Sequence, residues 1–176
     1  YRQYGGDIHA SGQHLLNLVD GILNASMTES GQARLVEDTV DLQRSAEAGM
    51  EAVRQACEMA GIRTEIRIAE DARQVHADGR LVRRMLANLL SNAVKFSNPG
   101  GRVTVTSQVT AEGLELAVND NGIGMAAGAL AHVFEPFGRG DSFVSRPAAG
   151  LGLGLPDTKS IIELHGGPRE VDSAEG

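Results

Sequence analysis

The chain of 176 residues has no tryptophan, and aromatic residues make up only 3% of it. Stacked rings therefore cannot carry its core, and aliphatic side chains must; a hydrophobic share of 41% is enough for that. Cys57 is the single cysteine, which excludes an intrachain disulfide and a cysteine-rich metal centre. Its apolar helical surroundings mark it as a small buried hydrophobe. No apolar run approaches the roughly 20 residues that cross a bilayer. The opening Tyr1-Arg-Gln-Tyr-Gly-Gly is not a signal peptide. Positive charge is also short: 16 Lys and Arg against 23 Asp and Glu give a net charge of -7 and a pI near 5.2. Bulk electrostatics thus argue against nucleic acid or an anionic membrane as partner.

Glycine is what the chain has in excess. Its 22 glycines cluster near 122–124, 138–154 and 166–167. Between the clusters, periodicity gives a coarse order of elements. Residues 7–27 read as a helix, with Ile8, Leu15, Leu18, Val19 and Ile22 close to a heptad seam. Gly12 and Gly21 weaken it, so it needs a partner helix. Residues 34–40 are strand-like. A helix runs from Asp41 to about Ala60 and stops at Gly61. Thr64–Ile68 and Gln74–His76 are short extended pieces. Asp78 caps a helix that reaches Phe96 and ends at Asn98-Pro-Gly-Gly. Residues 102–109 and 114–120 alternate with period two around a turn at Ala111-Glu-Gly, a hairpin. A short helical piece is expected near 128–134 and a longer helix over 153–165, with Pro156 tolerated in its first turn. A last strand could begin at Arg169. This order favours an α/β two-layer sandwich with a mixed sheet over a doubly wound parallel one.

Four stretches carry chemistry. On the 78–96 helix, Leu81, Val82, Met85, Leu86, Leu89, Leu90, Ala93 and Val94 form an apolar stripe. Arg84, Asn88, Ser91, Asn92 and Lys95 form a polar one. Two asparagines four residues apart are neighbours on one face, and asparagine is a poor helix former. By itself the polar stripe reads as a solvated face or as a working one. Asp120-Asn-Gly-Ile-Gly-Met follows a strand, placing a carboxylate beside exposed backbone, although Asp-Asn-Gly also makes ordinary turns. Phe134 and Phe137 read either as pins of a mobile loop or as core aromatics. Gly150-Leu-Gly-Leu-Gly-Leu opens a helix, where backbone N–H groups can approach phosphate. It fits neither the Walker pattern nor a dinucleotide fingerprint.

Taken together and in this order, the stretches resemble the catalytic, ATP-binding domain of sensor histidine kinases of two-component systems. That domain belongs to the wider group with gyrase, Hsp90 and MutL. Asn88-Leu-Leu-Ser-Asn-Ala-Val-Lys-Phe looks like the asparagine box. Asp120–Met125 and Gly150–Leu155 look like the two glycine boxes, and Phe134-Glu-Pro-Phe like the phenylalanine box. The resemblance implies a Bergerat-type ATP-binding domain over residues 34–176, its last strand missing. It implies part of a dimerisation hairpin, its second helix, over residues 1–30.

Carried onto this chain, the resemblance implies that Asn92 ligates Mg²⁺. Asn88 and Lys95 would lie along the phosphates, and Phe96 against the adenine. Asp120 would accept a hydrogen bond from the adenine amino group, while Gly122 and Gly124 shape the base pocket. Gly150, Gly152, Leu153 and Gly154 would cover the phosphates, with Phe134 and Phe137 anchoring the lid. Arg139 would meet the γ-phosphate. Asn88, Lys95 and Arg139 form the implied catalytic set. The implied partners are ATP, a response regulator receiver domain and a second copy through the hairpin. The implied place is the cytoplasm, without direct membrane contact by this segment.

The sequence departs from the family pattern in places. None of His9, His14, His76, His132 or His165 is followed by the acidic residue and Arg-x-Pro of a phosphoacceptor, so the acceptor is expected upstream. Leu151 stands where a hydroxyl residue is common, and Asp157-Thr158 replaces a usually apolar pair. These departures motivate an alternative, a degenerate scaffold with weak or no ATP turnover. A serine kinase acting on a protein partner is a third possibility, opposed by the 7–27 helix. The family's hydrolases usually place a glutamate base at the position of Asn88; an amide cannot take a proton, which points to transfer to a histidine instead.

Overall fold

The computed structural model describes residues 35–130, 132–135, 152–168, 170, 171 and 173. The chain divides after Arg34, and these residues all belong to the second unit. The expected 7–27 helix and hairpin segment lie outside them.

Two helices form the layer on which the site is built. Helix α1, Leu42–Ala60, starts at Asp41, whose side chain accepts the Arg44 N–H, and ends at Gly61 in the left-handed region (φ 64°). Helix α2, Gly79–Phe96, starts at Asp78, whose carboxylate accepts the Arg80 N–H. The apolar stripe read from the sequence faces inward: Val82, Leu86, Leu90 and Ala93 are buried, and Leu86 and Leu90 are fully so. The two helices pack tightly at Gly49, where a Cβ would come within 2.8 Å of Leu90 Cδ1.

The main sheet has the order β2-β4-β5. Strand β2, Arg63–Ile68, runs parallel to β4, Arg102–Thr110, and β4 pairs antiparallel with β5, Gly113–Asp120. It is therefore mixed, as expected. The alternating residues Val103, Val105 and Ser107 of β4 are buried; the two valines join the core with Leu42, Met50, Leu86 and Leu90. Cys57 is buried in the same cluster, and desolvation pushes its thiol pKa up. A separate two-stranded ribbon pairs β1, Asp38–Asp41, with β3, Gln74–Ala77. The strand expected over 34–40 is thus shorter and later. Strand β3 offers only four residues to pair with, and Val36 N–H turns instead to Asp78 Oδ2 at 3.1 Å.

After β5 come the four-residue helix α3, Ala127–Leu130, and helix α4, Gly154–Leu164. The first is shorter than expected. Pro156 falls in the first turn of α4, where its missing N–H costs nothing. Glu170, Val171 and Ser173 carry no regular structure; Ser173 Oγ accepts the Met125 N–H at 2.8 Å. Among the described residues no helix is long and apolar enough to cross a membrane.

Asp78 joins several of these parts. It is 1% exposed, and its carboxylate takes N–H groups of Val36 and Arg80 and two contacts from the Arg80 guanidinium, the shorter at 2.8 Å. Arg80 first, then backbone N–H groups, hold its carboxyl pKa well below the usual range against the opposing effect of burial. A depressed carboxyl pKa contributes stability that is present above about pH 4 and is lost as pH falls through the folded value. Urea unfolding between pH 7 and pH 2 should therefore show Asp78→Asn less stable at pH 7 by about 1–3 kcal/mol, with a shallower acid decline than wild type. Parallel declines in the two proteins would contradict this.

Candidate functional site

Helix α2 is the wall of the site, and two other segments are fastened to it. At its C-terminal end the Phe96 carbonyl oxygen accepts the Ile123 N–H at 3.1 Å. This draws the loop after β5 onto the helix so closely that Gly122 can only be glycine. A Cβ there would stand 2.3 Å from Phe96 O and 2.8 Å from Asp120 Oδ1. Asp120 Oδ1 also accepts the Gly122 N–H at 2.9 Å, leaving Oδ2 without a hydrogen bond among the described residues. The neighbouring Asn121 accepts the Arg102 N–H at 2.6 Å and pins the loop to the start of β4. Gly124 (φ 66°) reverses the chain in a conformation that L side chains rarely adopt.

Further up α2, helix α4 lies against the asparagines. A Cβ on Gly154 would lie 3.6 Å from Asn92 Nδ2 and 3.7 Å from Asn88 Cβ, so the first residue of α4 rests directly on both side chains. Gly152 (φ 67°) sets up this approach, and Leu153, the N-cap, provides no side-chain cap. The first N–H groups of α4 therefore gain no partner from their own cap residue. Asp157 Oδ2 accepts from Arg84 Nε at 2.7 Å and from Asn88 Nδ2 at 2.8 Å. Asn92 is half-buried and has no hydrogen bond among the described residues. At the far end of α4, His165 Nε2 accepts the Asp78 N–H at 3.0 Å, and its Nδ1 lies 2.8 Å from Ile161 O. Those partners require the neutral tautomer with hydrogen on Nδ1. Helix α4 is thus tied to α2 near both of its ends.

Asn88, Asn92, Phe96, Asp120, Gly122, Gly152, Leu153 and Gly154 are therefore gathered on or beside one helix. The Lys95 ammonium lies 4.7 Å from the Phe96 ring centroid, a cation–π contact at the end of α2 nearest the Asp120 loop. Phe134 lies in the turn after α3, within the described residues. Phe137, Arg139, Gly150 and Leu151 lie outside them. Ser91, placed in the polar stripe by its spacing, is exposed and makes no hydrogen bond or ion pair among the described residues. In the pair Asp157-Thr158, Thr158 is buried, its hydroxyl without a partner among the described residues. What the sequence reading passed over is the bond from Asp157 to Asn88. The signal was a carboxylate where an apolar residue was expected.

Residues 77–176 match the family described as histidine kinase-, DNA gyrase B-, and HSP90-like ATPase. The chain is 39% identical over 180 residues to the non-motile and phage-resistance protein of Caulobacter vibrioides, covering all of this chain and 21% of that one. It is 33% identical over 176 residues to the histidine protein kinase DivJ of the same species, covering 29% of that protein. The chain thus spans 21% and 29% of the length of these two curated relatives. Among solved structures, full-length ShkA in complex with AMPPNP superposes with a TM-score of 0.79 at 28% identity, over 94% of this chain and 34% of that one. The histidine kinase AdeS of Acinetobacter baumannii superposes with a TM-score of 0.71 at 25% identity, over 86% of this chain and 68% of that one.

The packing at Gly122 has a measurable consequence. Gly122→Ala must push the loop off the Phe96 carbonyl and should lower stability by about 1–3 kcal/mol. Gly128 meets nothing within 4 Å, and Gly128→Ala should change stability by no more than about 1 kcal/mol. Thermal melts of the two variants check the contrast, and equal shifts would mean that the close approach at Gly122 is not the constraint described.

Proposed function

Because the chain belongs to the histidine kinase-, DNA gyrase B- and HSP90-like ATPase family, we propose that it is the catalytic segment of a sensor histidine kinase. It binds ATP with Mg²⁺ and passes the γ-phosphate to a histidine imidazole for relay to a response regulator aspartate. The observation that carries this reading is Asn92, a half-buried amide with no hydrogen bond among the described residues, set against Gly154 at the start of α4. An amide that keeps access to solvent and is not claimed by the protein is available to a ligand.

The residues fit the proposed ligands. Asp120 Oδ2 is an available acceptor for the amino group of adenine, a group guanine lacks at that position. Gly152 and Gly154 leave backbone close to the uncapped start of α4, where N–H groups and the helix dipole favour phosphate. Asn92 brings a neutral oxygen donor suited to Mg²⁺, which is commonly held by few protein ligands plus substrate phosphates. Among the described residues no group of three His, Cys, Asp or Glu is placed to hold a metal by itself. When bound, the metal supplies neutralisation of the phosphate charge.

The chain's own residues then position and exclude. The Asp120 loop, held to α2 through Phe96 O, selects the base, and α4 aligns the phosphates. Lys95 supplies positive charge beside Phe96, and Arg139 is assigned the γ-phosphate, where charge builds during transfer. Transfer forms a bond from an imidazole nitrogen to the γ-phosphorus as the bond to the β,γ-bridging oxygen breaks and ADP leaves. Asn88 is an amide and cannot take a proton from water, which favours this route over hydrolysis. The acceptor histidine, the receiver domain partner, dimerisation through a helical hairpin over residues 1–30 and a cytoplasmic setting complete the reading.

Isothermal titration of this chain with ATP in the presence and absence of Mg²⁺ tests it. Asn92→Ala should abolish most of the Mg²⁺-dependent gain. Asp120→Ala should weaken ATP by about tenfold or more, roughly 1.4 kcal/mol, and narrow the preference for ATP over GTP. A wild-type chain with no Mg²⁺-dependent binding above the variants would instead favour a nucleotide-independent scaffold.

A further inference from the structure

Asp157 belongs to none of the roles above, yet it touches the asparagine stretch directly. It lies in the first turn of α4, where a carboxylate is favoured by the helix dipole. Its side chain is 15% exposed, and a single oxygen, Oδ2, takes Arg84 Nε at 2.7 Å and Asn88 Nδ2 at 2.8 Å. A carboxylate only accepts hydrogen bonds, so the end of the Asn88 amide facing it must be the NH₂ group. The orientation of Asn88 is therefore dictated by chemistry. The Asn92 amide, one turn along, lies beside the same helix, 3.6 Å from the Cβ position of Gly154. The Asn88 amide thus directs a donor at α4 and keeps its carbonyl oxygen for something else. Asn88 Oδ1 has no partner among the described residues.

We propose that Asp157 is a positioning residue: by holding Asn88 Nδ2 it fixes that amide so that Asn88 presents its acceptor oxygen, on the side away from Asp157, to the hydrated metal of a bound nucleotide. An acceptor suits a cation or its water ligands and is wrong for a bare phosphate oxygen. The Asn88 oxygen thus works on the metal side of the substrate. Arg84 shares the Asp157 oxygen, offsets its charge near the phosphates and holds the carboxylate in place. This is the arrangement of a metal ligand supported by hydrogen bonds behind it. The inference rests on the kinase reading and deepens it.

Two measurements test it, one without nucleotide. In the free protein, the Asn88 side-chain amide protons should move and exchange faster with water in Asp157→Leu, and should stay near their wild-type positions in Asp157→Asn, which keeps an acceptor oxygen. With ATP, the Mg²⁺ midpoint should rise about 10-fold or more in Asp157→Leu, while ATP affinity in EDTA changes by less than about threefold. In an Asn88→Ala background the same Asp157→Leu change should leave the midpoint where Asn88→Ala alone puts it, which a merely structural role would not do. Unmoved Asn88 resonances, or a Mg²⁺ midpoint indifferent to residue 157, would overturn the inference and leave the kinase reading standing. A wild-type chain that binds nucleotide neither with Mg²⁺ nor in EDTA would overturn both.

Discussion

The first turn of α2 is fixed by one buried carboxylate. Asp78 would be costly at 1% exposure if its oxygens were left bare. They are covered by Val36 N–H, by Arg80 N–H and by the Arg80 guanidinium, so it acts at once as helix cap, ion-pair partner and strap to the incoming chain. Its own N–H goes to His165 at the far end of α4. The start of the site helix and the end of the glycine-box helix thus share one residue. The polar side chains on α2 take their positions from that anchorage, because sliding or rotating the helix would break buried polar contacts.

Close backbone approach is the second constraint. The loop after β5 and the start of α4 each reach α2 through a glycine, but the two contacts differ in kind. At Gly122 the neighbour is a carbonyl, which cannot move aside. At Gly154 the neighbours are asparagine side chains at ordinary contact distance, so glycine there leaves room beside Asn88 and Asn92. One contact shapes the Asp120 end of the site by exclusion. The other leaves open space beside the two amides.

The polar junction between α2 and α4 trades stability for orientation. A leucine at 157 would add apolar burial, and the buried Thr158 hydroxyl without a partner costs something. In return the Arg84–Asp157–Asn88 contacts fix how an amide is turned, which an apolar interface cannot do. Removing one member leaves the others half-satisfied, so the trio behaves as a unit.

Much of this was legible in the sequence. Periodicity alone located α2 and its cap at Asp78, the α1 stop at Gly61 and the hairpin of β4 and β5, because those signals are local: a 3.6-residue stripe, a positive-φ glycine, strict alternation. The order of the four boxes told the family. The length of β1 was not legible, since it is set by how many residues β3 offers across space. Nor was the isolation of Ser91 from a stripe it shares by spacing alone. Asp157 looked like a defect because its sequence neighbours say nothing of Asn88, 69 positions away. Sequence determined which helices form and which residues each carries on its polar face. Only the tertiary structure decided which way the Asn88 amide is turned, because that orientation depends on a carboxylate brought to it by another helix.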